Sequence, residues 1–169
     1  FDWAGASADK LTSTTAATAA GVIGINLTPT TPSGTSTLIS AASGLSGAGY
    51  YLANNTNFTA SLTSSNTAVS VGSFASVAAL TNAYWVGNLI ATANTAGVDN
   101  AMALSNGTTS NWSSAAAYTA TGLVPGSTAN VFFSATSGAT PTQQGNIVLG
   151  SDMSVNSLTF NDRIGRAHV

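Results

Sequence analysis

Apolar and polar residues alternate along this chain in short bursts. In GVIGINLT, residues 21–28, Ile23, Ile25 and Leu27 fall on one side of an extended strand. NFTASLTS, residues 57–64, does the same with Phe58, Ala60 and Leu62, and AVSVG, residues 68–72, with Val69 and Val71. TSTLISA (35–41), NVFFSAT (130–136), NIVLG (146–150) and SVNSLTF (154–160) are further runs of this kind. Period-two alternation over such lengths predicts half-buried strands. In SVNSLTF the apolar Val155 and Leu158 are three apart, so a bend or bulge is expected at Asn156–Ser157. Pro29, Pro32, Pro125 and Pro141 stand between the runs, where a residue without a backbone N–H does least harm.

Helical patterning is scarce. TTAATAA, residues 14–20, has the alanines for a helical turn but too much threonine and no caps, so it is not expected to form one. The stretch 88–110 reads as a loop-rich insertion with one short helix around Val98–Leu104. A seam falls at SFASVAALTNA, residues 73–83. Before it threonine and glycine dominate and the one tryptophan is Trp3; after it come Trp85 and Trp112, with Tyr84 and Tyr118 near in sequence. The chain therefore divides into a module over 1–72, a linker over 73–83, a second module over 84–161 and a tail over 162–169. The expected fold is all-β, solenoid-like or sandwich-like strands in two small modules with little helix.

Composition sharpens this picture. Only 5% of the 169 residues are charged, against roughly 25% in an average soluble protein, yet 44% are hydrophobic, much of that alanine. Disordered chains show the opposite balance. Small side chains allow close packing of backbone layers, threonine and valine favour strands, and asparagine, glycine and serine favour turns. There is no cysteine, hence no disulfide or thiolate metal site, as suits an exported bacterial protein. No apolar run approaches the roughly 20 residues of a membrane span, and FDWAGASADK lacks the order of charge and apolar core of a signal peptide. A net charge of −2 with three basic residues gives no basic patch for nucleic acid or anionic membranes.

Several phrases resemble a known family when taken in order. The first is DWAGASADKLTSTTAATAAGVIGINLTP, followed by GTSTLISAASGLSGAGYYLANN. Later come AYWVGN, NWSS, GLVPGSTANVFFSAT and NIVLGSDMSVNSLTFND. Their sequence is similar to that of the autotransporter-associated β-strand repeat proteins of bacteria, with residues 1–72 like the close of one passenger repeat and 84–161 like the opening of the next. The pattern departs around 86–111, where the spacing between the tryptophans is long. The resemblance implies a β-solenoid passenger held at the cell surface or secreted, whose partners are neighbouring repeats of the same parent chain. It carries over no catalytic residue and no cofactor.

The residues themselves offer little chemistry. The one histidine, His168, lies with Arg163 and Arg166 in DRIGRAHV, residues 162–169. IGRAHV matches one reading frame of a common sequencing adapter, so this tail is expected to be an artefact without an evolved role. That leaves no base for a serine triad, and no G-x-S-x-G elbow or phosphate loop is present. Asp2 with Asp9, or Asp99 with Asp152, are the available pairs for glycoside hydrolysis, and nothing in their spacing brings them together. GSD at 150–152 and VDN at 98–100 are too sparse for calcium. Trp85, Trp112 and Tyr118, with Tyr84, could form a sugar-stacking platform; the alternative is that they plug a core beside Val131, Phe133 and Leu158. The leading expectation is a non-catalytic structural or adhesive passenger segment, for which an extracellular polysaccharide or another surface would be the outside partner. A carbohydrate-binding β module is the alternative, and a β-helical polysaccharide-degrading enzyme ranks behind both.

Overall fold

The computed structural model describes residues 1–87, 100–133 and 147–160. The chain is all-β, with no helix among the described residues and solenoid-like stacking of about five turns. Of the two all-β arrangements left open by the sequence, the solenoid-like one is found.

The stacking is visible in the parallel pairings. The first turns hold β1 (Asp2–Ala4), β2 (Ser7–Ala8), β3 (Leu11–Thr12), β4 (Gly21–Asn26), β5 (Thr28–Thr30), β6 (Ser36–Ser40) and β7 (Ala48–Ala53). Asp2 of β1 lies beside Thr28 of β5. Leu11 of β3 lies beside Ile39 of β6, and Gly21 of β4 beside Ala48 of β7. The offset in residue number is nearly the same on all three faces. The chain thus returns to the same place at a step of about 27 residues, one layer further along, as a solenoid coil does. Each coil buries its apolar side chains against the next. Trp3, Ile25, Leu27, Leu38, Leu45 and Leu52 form that core, joined by Phe58, Val69 and Val71.

Close layering requires glycine where backbones meet. Gly44 has φ +90°, and a Cβ there would overlap the carbonyl oxygen of Ala17 in the layer below. Its amide is held by Asn66 Oδ1 at 2.8 Å.

The ladder of the first stack then stops. β8 (Phe58–Ser64) and β9 (Ala68–Ser76) form a hairpin, and β9 lies antiparallel on the open side of β6. β10 (Asn82–Trp85) follows, and the antiparallel strand β11 (Leu104–Ser105) covers the open side of β7. The third face ends in β5, an edge strand with Pro29 at its centre. This proline lies inside a strand rather than between strands, against expectation. A sheet edge tolerates it because one side has no hydrogen-bonding partner, and there it discourages further pairing.

A second stack begins at β10. β12 (Trp112–Ser113) lies antiparallel on its outer side, as β2 does on β1. β13 (Asn130–Phe133) follows in parallel, with Asn82 beside Asn130. β14 (Ser157–Phe160) comes next, with Asn130 beside Ser157. The second of these steps matches the coil of the first stack, and the first is much longer. The extra length has a definite location. Ala101 bridges to Val148, which marks equivalent positions in two successive coils. From Val148 the chain runs almost directly to Ser157, whereas between Ala101 and Asn130 it carries an insertion holding β11 and β12.

Other local expectations need correction. In NIVLG the described residues, 147–150, form a single bridge at Val148 rather than a strand, and Asn146 lies outside the described residues. Asn100–Leu104, the described part of the expected helix, is turn, bridge and the start of β11. Strand β7 has no counterpart among the runs that the alternation picks out. The seam at 73–83 holds the end of β9 and the start of β10, with 77–81 between them.

Candidate functional site

The insertion builds the densest network of buried polar groups in the described structure. It leaves the second stack, crosses to the first and returns, forming a bracket. Asn54 N donates to Ala103 O at 2.9 Å, and Val124 N donates to Asn55 O at 3.3 Å. Asn55 is fully buried at the centre. Its Nδ2 donates to Gly122 O at 2.6 Å and to Phe58 O at 3.2 Å, while Ser105 Oγ donates to its Oδ1 at 2.7 Å. Ser110 Oγ donates to Leu123 O at 2.7 Å and Asn111 Nδ2 to Ala101 O at 2.8 Å. Buried polar groups are tolerated when each finds a partner. Here most of the partners are backbone groups, so among the described residues the network holds chain to chain.

Glycine again marks the closest approach. Gly107 has φ +90°, and a Cβ on it would overlap the carbonyl oxygen of Ala60 in β8. Ser105 Oγ accepts its N–H at 3.2 Å.

The aromatic residues are divided by burial. Trp85 and Trp112 pack edge to face at 5.0 Å, 3% and 1% exposed, within a core that includes Val131 and Phe133. Trp112 Nε1 donates to Met102 O at 2.8 Å. Tyr118 is apart from them, 49% exposed, with φ +60° in a turn closed by Ser113 Oγ, which accepts Thr119 N–H at 2.8 Å. The three residues named for sugar stacking therefore share no solvent-facing surface. Tyr84 stacks on Phe132 at 4.9 Å as part of the ladder between β10 and β13.

The acidic residues fall out differently from expectation. Asp2 and Asp9 are neighbours across β1 and β2: Asp9 N donates to Asp2 O at 2.9 Å, and Asp2 N to Asp9 Oδ2 at 3.1 Å. The turn at Gly5 (φ +54°) makes this pairing, which the spacing of the two residues does not reveal. Asp2 is exposed and Asp9 lies beside it at the surface, and neither lines either of two apolar hollows found among the described residues. Asp152 is exposed; its carbonyl accepts Asn54 Nδ2 at 2.8 Å. Asp99, Arg163, Arg166 and His168 lie outside the described residues, as does the VDN phrase up to Asp99. Among the described residues no three acidic or histidine side chains converge as metal ligands.

Of those hollows one, of about 370 Å³, lies in the first stack between β3, β4 and β6, with Leu11, Ile23, Ile39 and Tyr50 in its wall. The other, of about 310 Å³, opens at the end of the second stack beside β14. The organising residues of the bracket are Asn55 and Asn111, neither of which the sequence singles out. In a chain so rich in asparagine no local signal separates these two from turn formers.

Comparison with protein families, with curated proteins and with solved structures returns no match to this chain.

Proposed function

We propose that this chain is a non-catalytic structural or adhesive segment of a large bacterial cell-surface or secreted protein. It acts as a spacer between other regions. The observation that carries the reading is the parallel ladder with its side-chain rows. Asn156 Nδ2 and Ser157 Oγ both donate to Asn130 Oδ1, at 2.8 and 2.7 Å. Phe160 stacks on Phe133 at 5.0 Å. Rows of this kind join one layer to the next, and the backbone bonds run in the same direction. Load along the stack is then shared over many bonds in parallel. The bracket's polar groups point inward to partners within the chain, as a mechanical part requires. Export and surface placement rest on the family resemblance and on the lack of cysteine.

Force spectroscopy on a chain tethered at both ends tests the spacer role. Rupture events are expected, with length gains in multiples of one coil, roughly 9 nm for about 27 residues at about 3.5 Å each. Extension without rupture, like that of an unfolded polymer, would contradict the reading. A glycan array separates the adhesive alternative: specific sugar binding abolished by Tyr118→Ala would move the conclusion to a carbohydrate-binding module.

A further inference from the structure

The bracket holds one arrangement that the spacer role leaves unused. Asn106–Gly107 is the one Asn-Gly step in the chain. Asn106 is exposed, and its Oδ1 accepts three hydrogen bonds, from Thr108 N at 3.0 Å, Thr109 N at 2.8 Å and Thr108 Oγ1 at 2.9 Å. The next backbone nitrogen, Gly107 N, donates to Ser105 Oγ at 3.2 Å, and that hydroxyl donates in turn to Asn55 Oδ1 at 2.7 Å.

The backbone nitrogen that follows an asparagine can attack the side-chain carbonyl carbon and close a five-membered ring. Negative charge then gathers on Oδ1, where three donors already converge. Donors fixed in advance where charge develops lower the barrier to such a step. Glycine leaves the attacking nitrogen unscreened by a side chain. A second stretch of the chain serves as a comparison. In Ser65-Asn66-Thr67 the nitrogen is held in the same way, Thr67 N donating to Ser65 Oγ at 3.3 Å. Asn66 is also exposed, but its Oδ1 accepts from Gly44 N and Ser46 Oγ, and branched Thr67 stands where Gly107 does.

We propose that Asn106 is a self-modifying site, losing its amide to attack by Gly107. Gly107 N passes its proton through Ser105 Oγ to water and bonds to Asn106 Cγ. The Cγ–Nδ2 bond breaks, and Nδ2 takes a proton from water and leaves as ammonia. Water then adds to either carbonyl of the succinimide and reopens it as aspartate or isoaspartate. The sum is an amide plus water giving an acid plus ammonia, with no other reactant. Isoaspartate runs the backbone through Cγ and so inserts a methylene beside Gly107. There is no space for it, since even a Cβ on Gly107 would overlap the Ala60 carbonyl oxygen. The bracket is thereby displaced from β8, and the stacks lose their coupling irreversibly. This chemistry is independent of the spacer role, which needs no reaction.

The intact chain is aged at neutral pH, folded or in urea, and digested with pepsin. Peptides spanning residues 104–112 are scored by mass for amide-to-acid exchange and by chromatography for isoaspartate. Asn106 should convert faster in the folded chain than in urea, with Asn66 unchanged. Thr108→Val removes one donor from Oδ1 at an exposed position. It should slow the folded reaction about tenfold and leave the rate in urea as it was. Ageing should also split the urea unfolding of the original chain into two transitions, while Asn106→Gln, aged alike, keeps its starting profile. A folded chain that reacts no faster than the unfolded one, equal folded rates for Thr108→Val and the original, or a single transition after Asn106 has converted would each overturn the proposal.

Discussion

The two stacks obey the same physics, but among the described residues only the first is closed off. Each begins with a tryptophan strand, β1 or β10, whose outer side is covered by a short antiparallel strand. Each proceeds by parallel addition, and β13 to β14 repeats the step found throughout the first stack. The first stack is then closed on all three faces, by β9, by β11 and by Pro29 in β5. The second presents β14, Leu158 and Phe160 without cover among the described residues. A parallel ladder has no natural end, since every layer offers the next one the same row of donors and acceptors. Reversing strand direction, or inserting a residue that cannot donate, is what stops it. The bracket adds to the contrast, because the same insertion that closes β7 also anchors the second stack to the first.

That anchoring gives the largest expected effect. Gly107→Ala should cost roughly 4 kcal/mol, combining strain at positive φ with displacement of the Ala60 backbone. Urea unfolding followed by Trp fluorescence should then separate into two transitions, one per stack. A single unshifted transition would mean that the stacks are not joined through Gly107. Next in size is Asn55→Ala, which leaves two buried carbonyls and the Ser105 hydroxyl without their partner. A loss of about 3 kcal/mol in the same experiment is expected.

The tryptophans sharpen the comparison between the cores. Trp3 and Trp112 are both fully buried. Trp112 Nε1 donates to Met102 O, whereas Trp3 Nε1 has no acceptor among the described residues. Replacement by phenylalanine removes the same volume in both. Trp112→Phe should therefore be the more destabilising by about 1–3 kcal/mol, the difference isolating the hydrogen bond. Equal losses would remove the distinction. The smallest effect belongs to the exposed row. Asn130→Ala should cost about 1 kcal/mol and speed amide exchange in β14 without affecting β6.

Particular residues explain how much of this is legible in the sequence. Ile25, Leu27, Phe58, Ala60, Val69 and Val71 alternate and are buried as the pattern requires. β7 alternates poorly, because in Ala48–Ala53 both faces are at least partly covered and the burial is graded rather than two-sided. Strand direction cannot be read: a period of two is the same for parallel and antiparallel neighbours. The coil step is hidden because paired residues need not be alike, as Asp2 with Thr28 or Ile23 with Tyr50. The alternation groups Leu158 with the core. It does point inward, but its place in the last described layer leaves it half exposed. For the bracket, a run such as LSNGTTSNWSS reads as polar loop, and only the fold shows that Ser105, Ser110 and Asn111 are buried.

The central claim is the parallel return of the chain, coil upon coil, and one cross-link tests it directly. Ser40 Oγ donates to Thr12 Oγ1 at 3.3 Å across β3 and β6. In this cysteine-free chain the double variant Thr12→Cys, Ser40→Cys should form an intramolecular disulfide in the folded state, identified by mass spectrometry of the peptide pair. Failure of that pair to close in the folded state would contradict the in-register parallel stacking of β3 on β6, and with it the solenoid.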